Sequence, residues 1–358
     1  MSARLLLDTV RIGARPPRGP YVQNVSASSA VICWTGKEPD VGLVEYGETK
    51  RLGRTGIDPR IGKRHAVILS GLEPSSTYHY RVEGITSLAE GCFRTAPKGN
   101  SRFAFAVLGD SGDGGRGQLK VAGLLEQLKP DLILHTGDVV YPSGKDRHYG
   151  RHFFAPFRHL IKDVPVFPVL GNHDVETRDG AAYLQNFYLP SNNPQNTRRY
   201  YSFDWGDAHF VALDSELYYE DGGDSPEKQK AWLERDLSAV RRPWKIVFFH
   251  RGIYSSSEHG SDELIRENLE PVLMRHQVDL VFSGHDHDYE RTVPIGSVIY
   301  VVSGGGGKDL YEAGRSEWTA FSRSVRHAVL VCIDGRRLSL EAIEPDGTVF
   351  DHLNLKRP

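Results

Sequence analysis

Cysteine is scarce in this chain: Cys33, Cys92 and Cys332 are the only three in 358 residues. An odd, sparse set is no disulfide framework, and without a Cys-x-x-Cys pair a thiolate zinc site is not expected. One bridge between Cys33 and Cys92 stays open, although their contexts read as separate strands. Long apolar runs are also missing, and none approaches the ~18 residues of a membrane span. The opening "MSARLLLDTV" is too short for a signal-peptide core and is broken by Asp8, so a soluble, cytoplasmic protein is expected unless a leader was removed. A single Asn-x-Ser sequon at Asn24 carries little weight. There is no basic excess either. A net charge of −2 and a pI near 6.7 do not imply an extended nucleic-acid surface. With 39% hydrophobic and 25% charged residues, the chain is neither disordered nor fibrous.

What the chain does have is histidine, fifteen in all, which makes metal or acid–base chemistry worth seeking. Its length favours two domains. Residues 1–19 are rich in Arg, Pro and Gly and read as a loose arm. Residues 20–97 have an all-β texture. "SAVICWTG" alternates with Ile32 and Trp34 on one face and Cys33 on the other, and "LVEYGE", "HAVILSGL" and "STYHYRVEG" read as further short strands of a β-sandwich. Residues 98–102 form a linker marked by Pro97 and Gly99. From Phe103 onward, apolar runs alternate with helical patterns. Leu119, Ala122, Leu125 and Leu128 make one stripe, Ser225 and Pro226 open a second helix, and "ELIRENLEPVLMRH" reads as a third, kinked or restarted at Pro271. This βαβ rhythm suits a sheet covered on both faces.

The informative feature is what ends the apolar runs. "FAFAVLGD" ends at Asp110, "DLILHTGD" at Asp138 and "VPVFPVLGNHD" at Asn172, His173 and Asp174; "WKIVFFH" ends at His250 and "VDLVFSGHDH" at His285 and His287. In open α/β sheets, sites form beyond the carboxyl ends of the strands. A lone Asp there is usually a turn or cap residue. Leaving His173 and Asp174 aside, the five runs together supply three imidazoles (His250, His285, His287), two carboxylates (Asp110, Asp138) and an amide (Asn172), with Tyr141 three residues past Asp138. One tetrahedral zinc needs three or four ligands, so this surplus suits two metals sharing a carboxylate.

Asp110-x-Gly112, Gly137-Asp138-x-x-Tyr141, Gly171-Asn172-His173, Val247-x-x-His250 and Gly284-His285-x-His287 resemble, in order, the five ligand motifs of the purple acid phosphatases, which belong to the calcineurin-like metallophosphoesterases. The resemblance covers nearly the whole chain. It implies a mixed α+β and α/β fold: an N-terminal sandwich similar to a fibronectin type III module, with Tyr78 as its corner tyrosine, then a four-layer αββα domain over residues 103–358. It also implies that Asp110, Asp138, Tyr141 and His287 hold one metal, and that Asp138, Asn172, His250 and His285 hold the second. His173, with Asp174 orienting its ring, and His259 would be outer residues that touch phosphate or the leaving group. Family similarity points to secretion, against the absence of a leader.

Most of the wider superfamily opens with Asp-x-His, and Gly112 stands at that histidine's position. Tyr141 makes up the number. A phenol with a pKa of ~10 ligates at neutral pH only to a strong Lewis acid, which favours Fe(III), with Zn, Mn or Fe(II) as the second ion. The expected activity is acid phosphatase: hydrolysis of a small phosphate monoester by attack of a metal-bound hydroxide. A phosphodiesterase or nucleotide hydrolase on the same scaffold is the alternative, and a scaffold or adhesion protein with a relic catalytic domain is a third reading. "SGGGGKD" fails as a phosphate loop and reads as a tight turn beside the site; His135 reads as core or near-site, and His148, His152 and His159 as a surface or lid segment. Cys332 reads as buried.

Overall fold

The computed structural model describes residues 18–83, 90–219 and 225–357. Most of the expected arm lies outside these residues, but Arg18 and Gly19 already belong to the first strand, β1 (Arg18–Gln23). It is followed by β2 (Ser29–Gly47), β3 (Arg54–Ser70), β4 (Thr77–Val82) and β5 (Glu90–Arg94). The "LVEYGE" and "HAVILSGL" segments are not separate strands but fall in the second halves of β2 and β3, which pair on both sides of an irregular stretch. Register shifts between Thr35 and Gly42 let β2 pass through the polar stretch that reads as a break, so that its first half pairs with β1 and its second with β4.

Residues 30–34 are all buried rather than alternating, because this domain packs on the next one. Tyr21 and Tyr80 donate from their hydroxyls to the carbonyls of Asn186 and Lys162 (2.8 and 2.6 Å). The Tyr78 hydroxyl accepts from the Glu73 amide at 2.9 Å, the corner bond expected of it. The cysteines are free, with Cys33 on β2, Cys92 on β5 and Cys332 half-buried rather than buried.

The larger domain contains β6 (Phe103–Leu108), β7 (Leu132–His135), β8 (Val166–Pro168), β9 (Tyr201–Trp205), β10 (Ala208–Ala212), β11 (Trp244–Arg251), β12 (Leu280–Gly284), β13 (Tyr289–Thr292), β14 (Ile299–Ser303), β15 (Thr319–Arg323), β16 (Ala328–Asp334), β17 (Arg337–Ile343) and β18 (Val349–Lys356). They form two sheets, ordered β18-β17-β16-β6-β7-β8 and β15-β13-β14-β12-β11-β10-β9. The apolar runs are continuous because both faces of the second sheet are covered. Ile246, Phe248, Leu280 and Phe282 face the core shared with the first sheet, while Val247, Phe249 and Val281 face the core built with helices Pro226–Ala239 and Glu263–Arg275. Phe105 meets Phe210 and Phe282 edge-on across the gap, at 5.2 and 6.3 Å. Helix Arg116–Leu128 covers the first sheet, completing four layers.

Two helix details differ from expectation. The buried face of helix Arg116–Leu128 carries Val121, Ala122, Leu124 and Leu125, with Leu119 exposed. Helix Glu263–Arg275 runs unbroken through Pro271, which sits with Glu267 on its exposed side, where water can satisfy the carbonyl that proline leaves free. The Ser225 cap is present, accepting from the Lys228 amide.

His209 on β10 is clamped between Asp204 and Asp236, each 2.8 Å from a ring nitrogen. Burial alone would favour the neutral ring, but the bonds to both carboxylates outweigh it and raise the pKa to about 8. The stabilisation is therefore fully present below pH ~6.5 and is lost as pH rises through about 8. His209→Gln is expected to destabilise by ~2 kcal/mol at mildly acid pH and by much less in alkaline buffer, read by denaturant unfolding at the two pH values. An equal loss at both would contradict the charged clamp.

Candidate metal centre

The parallel strands β6, β7, β8, β11 and β12 all end at one edge, and each delivers a candidate ligand there. Asp110, Asp138 and His285 have left-handed backbones (φ 55°, 49° and 72°), which turn their side chains sharply off the strand ends. Gly112 explains why no histidine stands in its place. A Cβ there would lie 1.9 Å from the Val139 carbonyl oxygen, and the Gly112 carbonyl accepts from the Tyr141 amide at 2.7 Å. The two loops touch through their backbones, so any side chain at 112 is shut out. At Gly171 a Cβ would fall 2.2 Å from a carboxylate oxygen of Asp138.

Asp110, Asp138 and His250 each offer a ligand atom within 4.8 Å of the others, and all three are buried. On one side of this group the Tyr141 hydroxyl is 3.1 Å from both Asp110 Oδ1 and His287 Nε2. On the other, His250 Nε2 lies 3.0 Å from Asn172 Oδ1 and 3.6 Å from Asp138 Oδ1, with the His285 ring 5.0 Å from that of His250. The tautomers test whether metals fit. His250 Nδ1 donates to the Thr136 carbonyl (2.9 Å) and His287 Nδ1 to that of Asp309 (2.7 Å). In the neutral rings each Nε2 is therefore a bare lone pair aimed inward. His250 Nε2 and Asn172 Oδ1 then face each other as two acceptors, an arrangement that a cation between them makes favourable. The donors present fit a metal pair.

The charges agree. Burial, and then the Asp138 charge, push Asp110 well above the usual carboxylate range. Asp138 is also raised by burial, with His173 opposing. Burial lowers His250 far below its ordinary value and His287 to about 4, so both rings stay neutral and able to ligate. The Tyr141 phenol is pushed up by burial and by the two carboxylates. Two carboxylates enclosed in this way are poorly matched to one another and well matched to cations.

His173 is partly exposed at the mouth. Its ring lies 4.6 Å from that of Tyr141, its Nε2 is 3.9 Å from Asp138 Oδ2, and its Nδ1 donates to the Pro142 carbonyl at 2.8 Å. The expectation that Asp174 orients this ring is wrong. Asp174 points inward, where it accepts from the Val139 and Gly171 amides and from the Tyr149 hydroxyl, holding the Asp138 and Asn172 loops together. The exposed His259 ring stacks on His285 at 4.0 Å, and its amide donates to Asp286 (2.8 Å). The Gly304–Gly307 turn does lie beside the site: the Gly306 amide donates to Gly109 and that of Lys308 to Asp110. His135 bonds Ser111 near the site.

Sequence reasoning missed three neighbours. Lys308 Nζ stands 5.7 Å from the Tyr141 ring centre, the Tyr311 ring stacks on His287 at 4.1 Å, and Arg251 donates to the buried Glu216 at 2.9 Å. Only adjacency signalled two of them, Arg251 following His250 and Lys308 following the glycine run.

Residues 103–289 match the family model described as calcineurin-like phosphoesterase. Purple acid phosphatase 18 of Arabidopsis thaliana is 31% identical over 338 residues, which is 86% of this chain and 74% of the relative. Purple acid phosphatase 23 of the same plant is 31% identical over 68% of this chain, which spans only 62% of that relative's length. Among solved structures, the purple acid phosphatase PPD1 from yellow lupin seeds superposes with a TM-score of 0.82 at 23% identity, covering 96% of this chain and 75% of that one, a likeness of fold. The chain therefore belongs to the calcineurin-like phosphoesterase family, among its purple acid phosphatases.

Proposed function

We propose that the protein is a dinuclear metal-dependent phosphomonoesterase of the acid phosphatase type. The observation that carries this reading is the inward convergence of bare lone pairs around the buried Asp110 and Asp138. Asp110, Asp138, Tyr141 and His287 would hold Fe(III), and Asp138, Asn172, His250 and His285 would hold Zn, Mn or Fe(II), with Asp138 between them. When bound, such a pair supplies a water-derived nucleophile in mild acid and offsets the charge of the phosphate.

The chain's own residues do the rest. The Thr136 and Asp309 carbonyls keep the Nε2 lone pairs of His250 and His287 turned inward. The Pro142 carbonyl holds His173 by Nδ1, so its Nε2 faces the mouth beside Asp138, where it can hold a proton for the departing oxygen. His259, stacked on His285, offers a second imidazole to the phosphate oxygens. The substrate is a small phosphate ester. Among the described residues no helix is long and apolar enough to cross a membrane.

In mild acid, kcat/KM on nitrophenyl phosphate is expected to exceed that on bis(nitrophenyl) phosphate by more than about tenfold. A smaller ratio would favour a diesterase or nucleotide hydrolase. Freshly purified, oxidised protein is expected to absorb in the visible through phenolate-to-iron charge transfer, and Tyr141→Phe to lose that band while remaining folded. If the band survives in the variant, Tyr141 is not the ligand.

A further inference from the structure

Residues 141–143 form the turn that carries Tyr141 to the metal centre, and their three successive carbonyls each meet a different histidine. His152 Nδ1 donates to the Tyr141 carbonyl at 2.9 Å, His173 Nδ1 to that of Pro142 at 2.8 Å, and His148 Nδ1 to that of Ser143 at 2.6 Å. A carbonyl oxygen only accepts, so each Nδ1 carries a proton, and each ring is held in one orientation with Nε2 turned away from the turn. Water could satisfy a carbonyl in an ordinary surface turn. Here rigid rings do so, and they tie the turn to regular structure. His148 and His152 lie four residues apart on the helical segment 146–154, whose second turn is of the wide π type. Their rings are 5.5 Å apart and almost parallel, and they reach the turn from one helical face. His148 is buried and His152 half-buried, which corrects the expectation of a surface or lid segment; only His159 is exposed.

The segment is itself anchored. Arg18 of β1 donates to the Asp146 carboxylate and carbonyl at 2.7 and 2.6 Å, and Arg64 of β3 to the same carboxylate at 2.8 Å. Gln118 of helix Arg116–Leu128 donates to the His152 carbonyl. A chain of short polar contacts thus runs from the N-terminal domain through segment 146–154 to the backbone under Tyr141 and His173.

We propose that His148 and His152, neither of them a ligand, are positioning residues that hold this turn so that the Tyr141 phenol and the His173 ring are aimed at the centre together. The proposal rests on the reading of Tyr141 as an iron ligand. His152→Phe keeps a ring but removes the donor. Its visible band is expected to shift by tens of nanometres or lose much of its intensity, and kcat to fall about tenfold with KM changed less than about twofold. His152→Asn, which restores an N–H near the Nδ1 position, is expected to recover both. His159→Phe, on the exposed neighbour, is expected to match wild type. A His152→Phe protein with wild-type band and kcat, or an Asn variant no better than Phe, overturns the proposal. A colourless wild type that binds metal would count against iron, not against the clamp. Nitrogen-15 and proton-exchange NMR of that same protein then decides: Nδ1–H tautomers with slow exchange at His148 and His152 support it, and unprotected rings sink it.

Discussion

Asp110 and Asp138 are buried side by side, with more lone pairs pointing at them than there are protons to share. An enclosed carboxylate without a counter-charge resists ionisation, and two of them resist it together. The His250 and His287 rings that face them bring no positive charge, because burial keeps them neutral and backbone carbonyls hold their protons on the far nitrogen. Most of what is unusual in this part of the molecule follows from that arrangement. It is stable as a set of ligands and poor as a set of hydrogen-bonding partners.

The fold serves this constraint by geometry. Two sheets packed through Phe105, Phe210 and Phe282 end their parallel strands at one edge, so donors far apart in sequence arrive from both layers. Backbone in the left-handed region turns three of the candidate ligands off their strands, and Gly112 and Gly171 let neighbouring loops close onto Val139 and Asp138. Behind these loops, Asp174 pins the backbone on both sides of the Asp138–Asn172 pair. The layer supporting the candidate ligands is almost entirely made of bonds to backbone groups, which suits loops that must hold a fixed shape around cations.

The candidate ligands were legible because their chemistry is written at the ends of apolar runs. Asp110, Asp138, Asn172, His285 and His287 each follow a strand that its own pattern reveals, His250 lies near the end of one, and the structure brings them together with Tyr141. What supports them was not legible. His148 and His152 sit at helical spacing among aromatic and basic residues, a pattern that reads equally as a surface, and only the turn at residues 141–143 gives them a purpose. Asp174 adjoins His173 in sequence yet turns away from it, because a short helical turn points successive side chains in different directions. In the smaller domain, residues 36–40, GKEPD, separate two apolar segments; they remain in β2 because β3 pairs along both halves of it. In each case the deciding partner is a backbone group or a paired strand that the residue's own pattern does not reveal.

The central claim is that the buried carboxylates and the neutral donors around them enclose two cations with Asp138 shared. Metal analysis of wild type and Asp138→Asn, each purified without chelator and shown to be folded, tests it most directly. The account predicts two metal ions per chain in wild type and loss from both positions in the variant, since one side chain serves both. A wild type that hydrolyses phosphate esters with a single ion, or a variant that keeps both, would contradict it.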